Sequence, residues 1–89
     1  MRRAARTDSN QTEIIAALRK CGCTTLFLNI GFGAPDLLVA RANRMWLMEL
    51  KVKDGKLRKI QEDWHRNWNA KVHVVRSVEE AIKIISQRA

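Results

Sequence analysis

This chain of 89 residues is poor in the residues that mark several common protein classes: it has one proline, two cysteines and no tyrosine. No apolar run is long enough to span a bilayer, which argues against a membrane-spanning helix. The basic start, Met1–Arg6, is not followed by the apolar segment of a signal peptide, so we expect a cytoplasmic protein. Cys21 and Cys23 are poorly spaced for a disulfide, and with His65 and His73 as the only further candidates we expect no zinc site.

Acidic residues are scarce relative to basic ones. Lysine and arginine number 17 against 9 for aspartate and glutamate, which gives a formal net charge of +8. A small protein this basic attracts polyanions, and nucleic acid is the commonest of them. We therefore predict a nucleic-acid partner and no membrane partner.

The length of 89 residues suffices for one domain with a thin core, which dimerisation would help to stabilise. Residues 1–7 are predicted to form a flexible basic arm, and residues 8–89 a single domain. Apolar spacing and capping residues predict helices over residues 9–21, from Leu57 to Trp68 and from Ser77 onward. Runs of β-branched and apolar residues predict strands at Thr24–Asn29, Asp36–Ala42, Met45–Val52 and Lys71–Arg76. Two capping boxes are predicted, Asn10 with Glu13 and Ser77 with Glu80.

The resulting order, α-β-β-β-α-β-α, predicts an α/β fold with a four-stranded mixed sheet and helices packed on it. In the second helix, Trp64 and Trp68 fit an apolar stripe, so packing in the core is favoured over stacking on nucleic-acid bases. His65 is one residue off that stripe, at a position that suits contact with DNA.

Two charged residues, Glu49 and Lys51, interrupt an otherwise apolar predicted strand. A charge in a central strand is costly unless it is paired or binds something. Residues two apart in a strand point to the same face of the sheet. A two-residue loop at Asn43–Arg44 would pair Asp36 with Lys51 and bring all three side chains to one face. A four-residue loop keeps this arrangement, whereas a three-residue loop destroys it.

Two neighbouring carboxylates beside a lysine suit a divalent metal site. Mg²⁺ prefers oxygen ligands, and is usually held by one or two carboxylates with water and phosphate. The metal can polarise a phosphodiester, and a lysine can orient the attacking water or offset developing charge. The alternative is a structural Asp36–Lys51 pair, which would leave Glu49 without a partner.

The segments Gly33–Asp36 and Glu49–Lys51 match the PD-(D/E)xK nuclease motif. Residues 10–19 resemble the first helix of small phage and prophage proteins related to VRR-type nucleases, which are similar to Holliday junction resolvases. The resemblance covers nearly the whole chain after the arm. It implies a restriction-endonuclease-like core, a Mg²⁺- or Mn²⁺-dependent DNA endonuclease, a homodimer and, for a phage-encoded protein, the cytoplasm of a bacterial host.

The resemblance also implies roles for individual residues. Asp36, Glu49 and Lys51 would be catalytic, and Gln61 would lie beside the lysine, with a solvated helix position as its alternative. Glu13 would complete the metal site formed by Asp36, Glu49 and the Leu50 carbonyl, with a capping role as its alternative. Basic residues that could contact DNA phosphates, or equally be solvated, are Arg2, Arg3, Arg6, Lys53, Lys56, Arg58 and Lys59.

Three functions are compatible with these patterns. The first is a metal-dependent endonuclease that acts on branched or structured DNA. The second is a catalytically inactive, basic DNA-binding module, and the third is a ribosomal-type or architectural protein that binds nucleic acid without a metal. The complete set of Asp36, Glu49 and Lys51 favours the first.

Overall fold

Helices and strands follow the predicted order α-β-β-β-α-β-α in the computed structural model, which describes residues 9–87. The predicted arm, with Arg2, Arg3 and Arg6, lies outside the described residues. The helices are α1 (Ser9–Lys20), α2 (Lys59–Asn67) and α3 (Val78–Ser86). The strands are β1 (Thr24–Phe27), β2 (Leu37–Arg41), β3 (Arg44–Leu50) and β4 (Val72–Val75).

The strands form one mixed sheet in the order β1-β2-β3-β4. The pairs β1–β2 and β2–β3 are antiparallel, whereas β3–β4 is parallel. A parallel pair needs a crossover connection, and α2 lies within the connection between β3 and β4. The predicted fold class, with a four-stranded mixed sheet, is confirmed.

The β2–β3 hairpin turns one residue earlier than predicted. Its two-residue loop is Ala42–Asn43, because Arg41 pairs with Arg44 and Leu37 with Met48. Both loop residues have positive φ, 52° and 66°, as in the type I′ turns that match the twist of the strands. An arginine suits this left-handed conformation poorly, which explains why Arg44 is in the strand instead.

The earlier turn changes which residue lies opposite Asp36. Continuing the observed register places Asp36 beside Glu49, so the predicted pairing of Asp36 with Lys51 is wrong. The loop still has an even number of residues, so the alternation of side chains keeps Asp36, Glu49 and Lys51 on one face of the sheet.

The hydrophobic core lies between the other face of the sheet and the helices α1 and α3, which pack against each other. Cys23 is buried in this core and Cys21 packs against it, and neither forms a disulfide. The fully buried core side chains of α1, β2, β3, β4 and α3 include Ile14, Leu18, Leu37, Val39, Met48, Val75 and Ala81.

Helix α2 makes a different kind of contact, because its buried residue is the polar Gln61. The predicted packing of Trp64 and Trp68 in the core is wrong: neither belongs to the core cluster, and Trp68 is 46% exposed. The reason is that α2 turns Gln61 toward Glu49. Its two tryptophans line open cavities instead, one shared with Phe32 and one that Trp68 shares with Leu38 and Leu47 of the sheet.

That face of the sheet also carries an apolar row of four residues, one from each strand. The strand register aligns Leu26, Leu38, Leu47 and Val72 across the sheet. Leu26 is 57% exposed, so part of this row is uncovered in the single chain.

Both predicted capping boxes need correction. Asn10 lies inside α1, and its side-chain amide donates to the Lys51 carbonyl at 2.8 Å, so Asn10 and Glu13 do not form a capping box. Ser77 caps α3 as predicted, with its hydroxyl accepting from the Glu80 N–H. The Glu80 carboxylate accepts from the Arg76 N–H at 2.6 Å and not from the Ser77 N–H, so the predicted box is only half formed. Within residues 9–87 no helix combines the length and apolar character needed to cross a bilayer.

Candidate active site

Glu49 is the centre of the candidate site. Its neighbours in β3, Met48 and Leu50, are both buried, and Glu49 is itself only 1% exposed. The Gln61 side-chain amide donates to Glu49 Oε2 at 3.0 Å. The other carboxylate oxygen, Oε1, is buried without a hydrogen-bond partner among the described residues. A buried carboxylate with one free oxygen is costly and therefore points to a missing proton or cation.

Asp36 is fixed beside Glu49 by backbone contacts on both sides. Its carboxylate Oδ2 accepts from the Leu50 N–H at 2.8 Å, which ties it to β3. Its own carbonyl accepts from the Leu28 N–H at 2.9 Å, and the preceding Pro35 is fully buried. The Asp36 carboxylate therefore has a defined position at the start of β2.

The two carboxyl groups interact strongly. Burial first, and then the neighbouring Asp36 carboxylate, raise the pKa of Glu49 to about 8, against the opposing charges of Lys51 and Arg58. The protonated form of Glu49 is therefore favoured at neutral pH. A divalent cation could replace that proton and relieve the same repulsion.

Lys51 provides the positive charge of the site. Its backbone is held on two sides, because its N–H donates to the Val75 carbonyl at 3.0 Å and its carbonyl accepts from Asn10 at 2.8 Å. Its half-buried side chain lies near enough to lower the pKa of both Glu49 and His65. The three residues of the motif are thus brought together on one face of the sheet.

Gln61 links this group to the start of α2. Its side-chain oxygen accepts from the Arg58 N–H at 2.8 Å, while its amide group donates to Glu49. It is only 6% exposed, so it does not occupy the solvated position considered as its alternative.

Removing the Gln61 side chain, and with it both hydrogen bonds, should destabilise the fold. Gln61→Ala would leave Glu49 Oε2 and the Arg58 N–H without their partners, and a buried polar group left unpaired costs about 1–3 kcal/mol. We expect urea denaturation to show a loss of that size, and a change within about 0.5 kcal/mol for the exposed neighbour Glu62→Ala. Equal stability of Gln61→Ala and wild type would mean that the link contributes nothing.

His65 also reaches the site, which the sequence analysis missed. Its Nε2 lies 3.8 Å from Glu49 Oε1, and that nitrogen is buried without a hydrogen-bond partner among residues 9–87. Burial, and then the positive charge of Lys51, lower the pKa of His65. The imidazole faces the free oxygen of Glu49, and its contact with DNA stays a prediction. The signal was its spacing of four residues from Gln61, which puts both on one side of a helix.

The other predicted residues are more dispersed. Glu13 is exposed and lines a groove beside Ser77 and Glu79, and it is not among the charges that act on Glu49. The structure thus does not bring Glu13 to the two carboxylates. The predicted DNA contacts in the described part of the chain are all exposed: Lys53, Lys56, Arg58 and Lys59.

The donor set fits one metal chemistry better than others. In the described residues, no three His, Cys, Asp or Glu side chains are clustered so as to hold a metal ion. Zinc sites usually have three or four such ligands, whereas Mg²⁺ is commonly held by one or two carboxylates with water and substrate phosphate. The pair Asp36 and Glu49, with its free buried oxygen, matches the second pattern.

No protein-family model matches the chain, and no curated protein sequence matches it. One solved structure, described as a VRR_NUC domain, matches with a TM-score of 0.69 over 92% of this chain and 100% of the other. The chain has the VRR_NUC fold. The two sequences are 24% identical, so the likeness is one of fold. It confirms the VRR-type fold that the motif segments Gly33–Asp36 and Glu49–Lys51 imply.

Proposed function

We propose that this chain is a metal-dependent nuclease that hydrolyses phosphodiester bonds in DNA. The observation that carries the proposal is the buried Glu49, with one free oxygen, beside Asp36 and Lys51. A purely architectural DNA-binding protein has no need for two adjacent carboxylates on its sheet, one of them with a buried oxygen that lacks a partner. The VRR_NUC fold of the chain supports the same activity.

Asp36, Glu49 and the Leu50 carbonyl would hold Mg²⁺ or Mn²⁺, with water and the DNA phosphate completing the coordination. When bound, the metal supplies Lewis acidity and lowers the pKa of a bound water. Gln61 keeps Glu49 in its orientation through the amide hydrogen bond at 3.0 Å. Glu13, which the resemblance adds as a ligand, is not part of this proposal, because the structure leaves it apart from the carboxylates.

Lys51 would act on the reacting phosphate. An ammonium group fixed at this position can orient the attacking water and offset the negative charge that develops on the phosphate. Both functions need a fixed side chain, and the Lys51 backbone is held by Val75 and Asn10.

DNA is the substrate that the charge favours. With a net charge of +8, the chain would bind phosphates in a strongly salt-dependent way. Lys53, Lys56, Arg58 and Lys59 lie between β3 and the first turn of α2, on the connection that leaves the site. We propose that they contact the backbone of branched or structured DNA.

The proposal includes a homodimer. Exposed apolar side chains on the sheet support it, with Leu26 57% and Met45 70% exposed, since burying them would extend a thin core. Sedimentation equilibrium would measure the mass of the particle.

The deciding experiment incubates the chain with labelled junction, flap, duplex and single-stranded DNAs, in Mg²⁺, Mn²⁺ or EDTA. We expect cleavage with either metal and none in EDTA, with preference for the branched DNAs. Asp36→Asn keeps the shape of the side chain and should lose both cleavage and calorimetric Mg²⁺ binding. If wild type binds these DNAs and cuts none of them with either metal, the chain is an inactive DNA-binding module.

A further inference from the structure

A cavity with aromatic walls lies along α2. It has a volume of about 330 Å³ and is open to solvent. It is lined by Phe32 from the loop before β2 and by side chains of α2 and the residue after it, namely Ile60, Asp63, Trp64, Asn67 and Trp68. The proposed hydrolysis uses none of these six residues. We call this cavity the aromatic pocket.

Phe32 lines the pocket with an exposed side chain and an unfavourable backbone conformation. It is 81% exposed, and its φ of 60° is in the left-handed region that a phenylalanine rarely adopts. Its neighbour Gly33 fixes the loop, because a Cβ there would overlap the Ile60 carbonyl. Strained and exposed residues of this kind are concentrated at binding and catalytic sites. The loop therefore presents an aromatic ring to solvent next to α2.

The opposite wall is a rigid aromatic surface. Trp64 and Trp68 stack with their ring centroids 4.8 Å apart and their planes 18° from parallel. Trp68 is 46% exposed, so one ring of the stack is accessible. Trp64 precedes His65, whose imidazole faces Glu49, and Phe32 lies four residues before Asp36, so the same two segments of chain carry the pocket and the candidate active site.

The polar groups of the pocket fit a nucleotide better than an apolar peptide. Asp63 and Asn67 offer acceptors and donors at the pocket wall, as base edges require. Lys59 and Arg66 both pair with Asp63, at 3.0 and 2.9 Å, which brings two cations to the rim. These cations can contact the phosphates of a nucleotide whose base is in the pocket.

We propose that the aromatic pocket binds the base of an unpaired nucleotide close to the scissile phosphate. The proposal rests on the proposed nuclease function, and it specifies the substrate: DNA in which at least one base near the cut is free to leave the stack. Stacking on aromatic side chains tolerates any base, because every base has a π-face. The pocket therefore selects for an unpaired nucleotide and not for a sequence.

The test measures binding without metal, so that it does not depend on cleavage. The full chain is titrated with a blunt DNA duplex and with the same duplex carrying a single-stranded extension. We expect Phe32→Ala and Trp68→Ala to weaken binding of the extended DNA about tenfold and to leave the blunt duplex unaffected. Trp68→Phe keeps a ring and should recover most of the affinity. The matched control is Ile30→Ala, which removes a 60% exposed apolar side chain from the same loop but outside the pocket.

A second arm replaces the unpaired bases of the extension with abasic sites. Wild type should then lose about tenfold in affinity, and Trp68→Ala should lose nothing more. The proposal is overturned if the pocket variants bind both DNAs like wild type, or if they lose affinity equally for both. It is also overturned if Phe32→Ala or Trp68→Ala changes the oligomeric mass, because the pocket would then be an interface between copies. Absence of cleavage by wild type, with the base-dependent binding intact, would contradict only the nuclease function.

Discussion

Replacing Lys51 with alanine should lower the rate of DNA cleavage by on the order of a hundredfold or more, with little change in melting temperature. This is the effect of deleting one preorganised electrostatic group from an active site. Both carboxylates stay in place, and the loss of a neighbouring cation favours a bound metal. DNA affinity should fall only modestly, because Lys51 is one of 17 basic residues. Single-turnover cleavage and thermal melting of the same preparation measure both effects.

The alternative role for Lys51 makes a different prediction. A structural pair with Asp36 would leave that carboxylate unpaired in the alanine variant and lower the melting temperature strongly. No salt bridge joins Lys51 to Asp36 among the described residues, and Asp36 Oδ2 accepts from the Leu50 N–H instead. Lys83→Ala, an exposed lysine on α3, is the control for loss of one charge. A collapsed melting temperature, or cleavage equal to that of Lys83→Ala, would mean that Lys51 is not catalytic.

The metal-free protein should be markedly less stable at pH 8.5 than at pH 5.5, and Glu49→Gln should remove most of this difference. The folded-state pKa of Glu49 is about 8, against about 4.5 in the unfolded chain. Between these values the folded state binds the extra proton, so the free energy of unfolding falls as the pH rises. The full difference is on the order of 4 kcal/mol, a large part of the stability of a small domain.

Urea denaturation at a series of pH values, in EDTA, measures this slope. Glu79→Gln changes an exposed glutamate on α3 and should keep the wild-type slope. Excess Mg²⁺ should stabilise wild type more at pH 8.5 than at pH 5.5, because the metal competes with the proton for Glu49. A metal-free protein with equal stability at both pH values would contradict the buried carboxyl pair.

The sequence predicts the order of the elements, and it predicts that the three site residues share one face of the sheet. The shared face depends only on whether the hairpin loop has an even or an odd number of residues. Alternation in β2 and β3 fixes the side of the sheet on which Asp36, Glu49 and Lys51 lie, provided that the loop count is even. The exact partner of Asp36 depends on which residues accept positive φ in the turn, and Ala42 gives no such signal.

Helix α2 is the element that sequence reasoning interpreted wrongly. A stripe of tryptophans normally indicates the buried side of a helix, but the buried side here is the one with Gln61 and His65. Polar residues turn inward because Glu49, itself buried, provides their partner on the sheet. Composition and periodicity do not reveal such a partner before the strands are placed in register.

The close approach of Gly33 to the Ile60 carbonyl has a consequence for evolution and for engineering. Gly33 has no side chain, and this lets the segment leading to Asp36 rest directly on Ile60 of α2, the residue before Gln61. The same contact therefore holds both Asp36 and Gln61, which flank Glu49, although the two lie 25 positions apart in the chain. By contrast, a Cβ at Gly31, with a similar φ of +87°, would meet nothing within 4 Å. Random mutagenesis should consequently find Gly33 as intolerant of change as the acids themselves, while substitutions at Gly31 cost only the strain of its positive φ and no steric overlap.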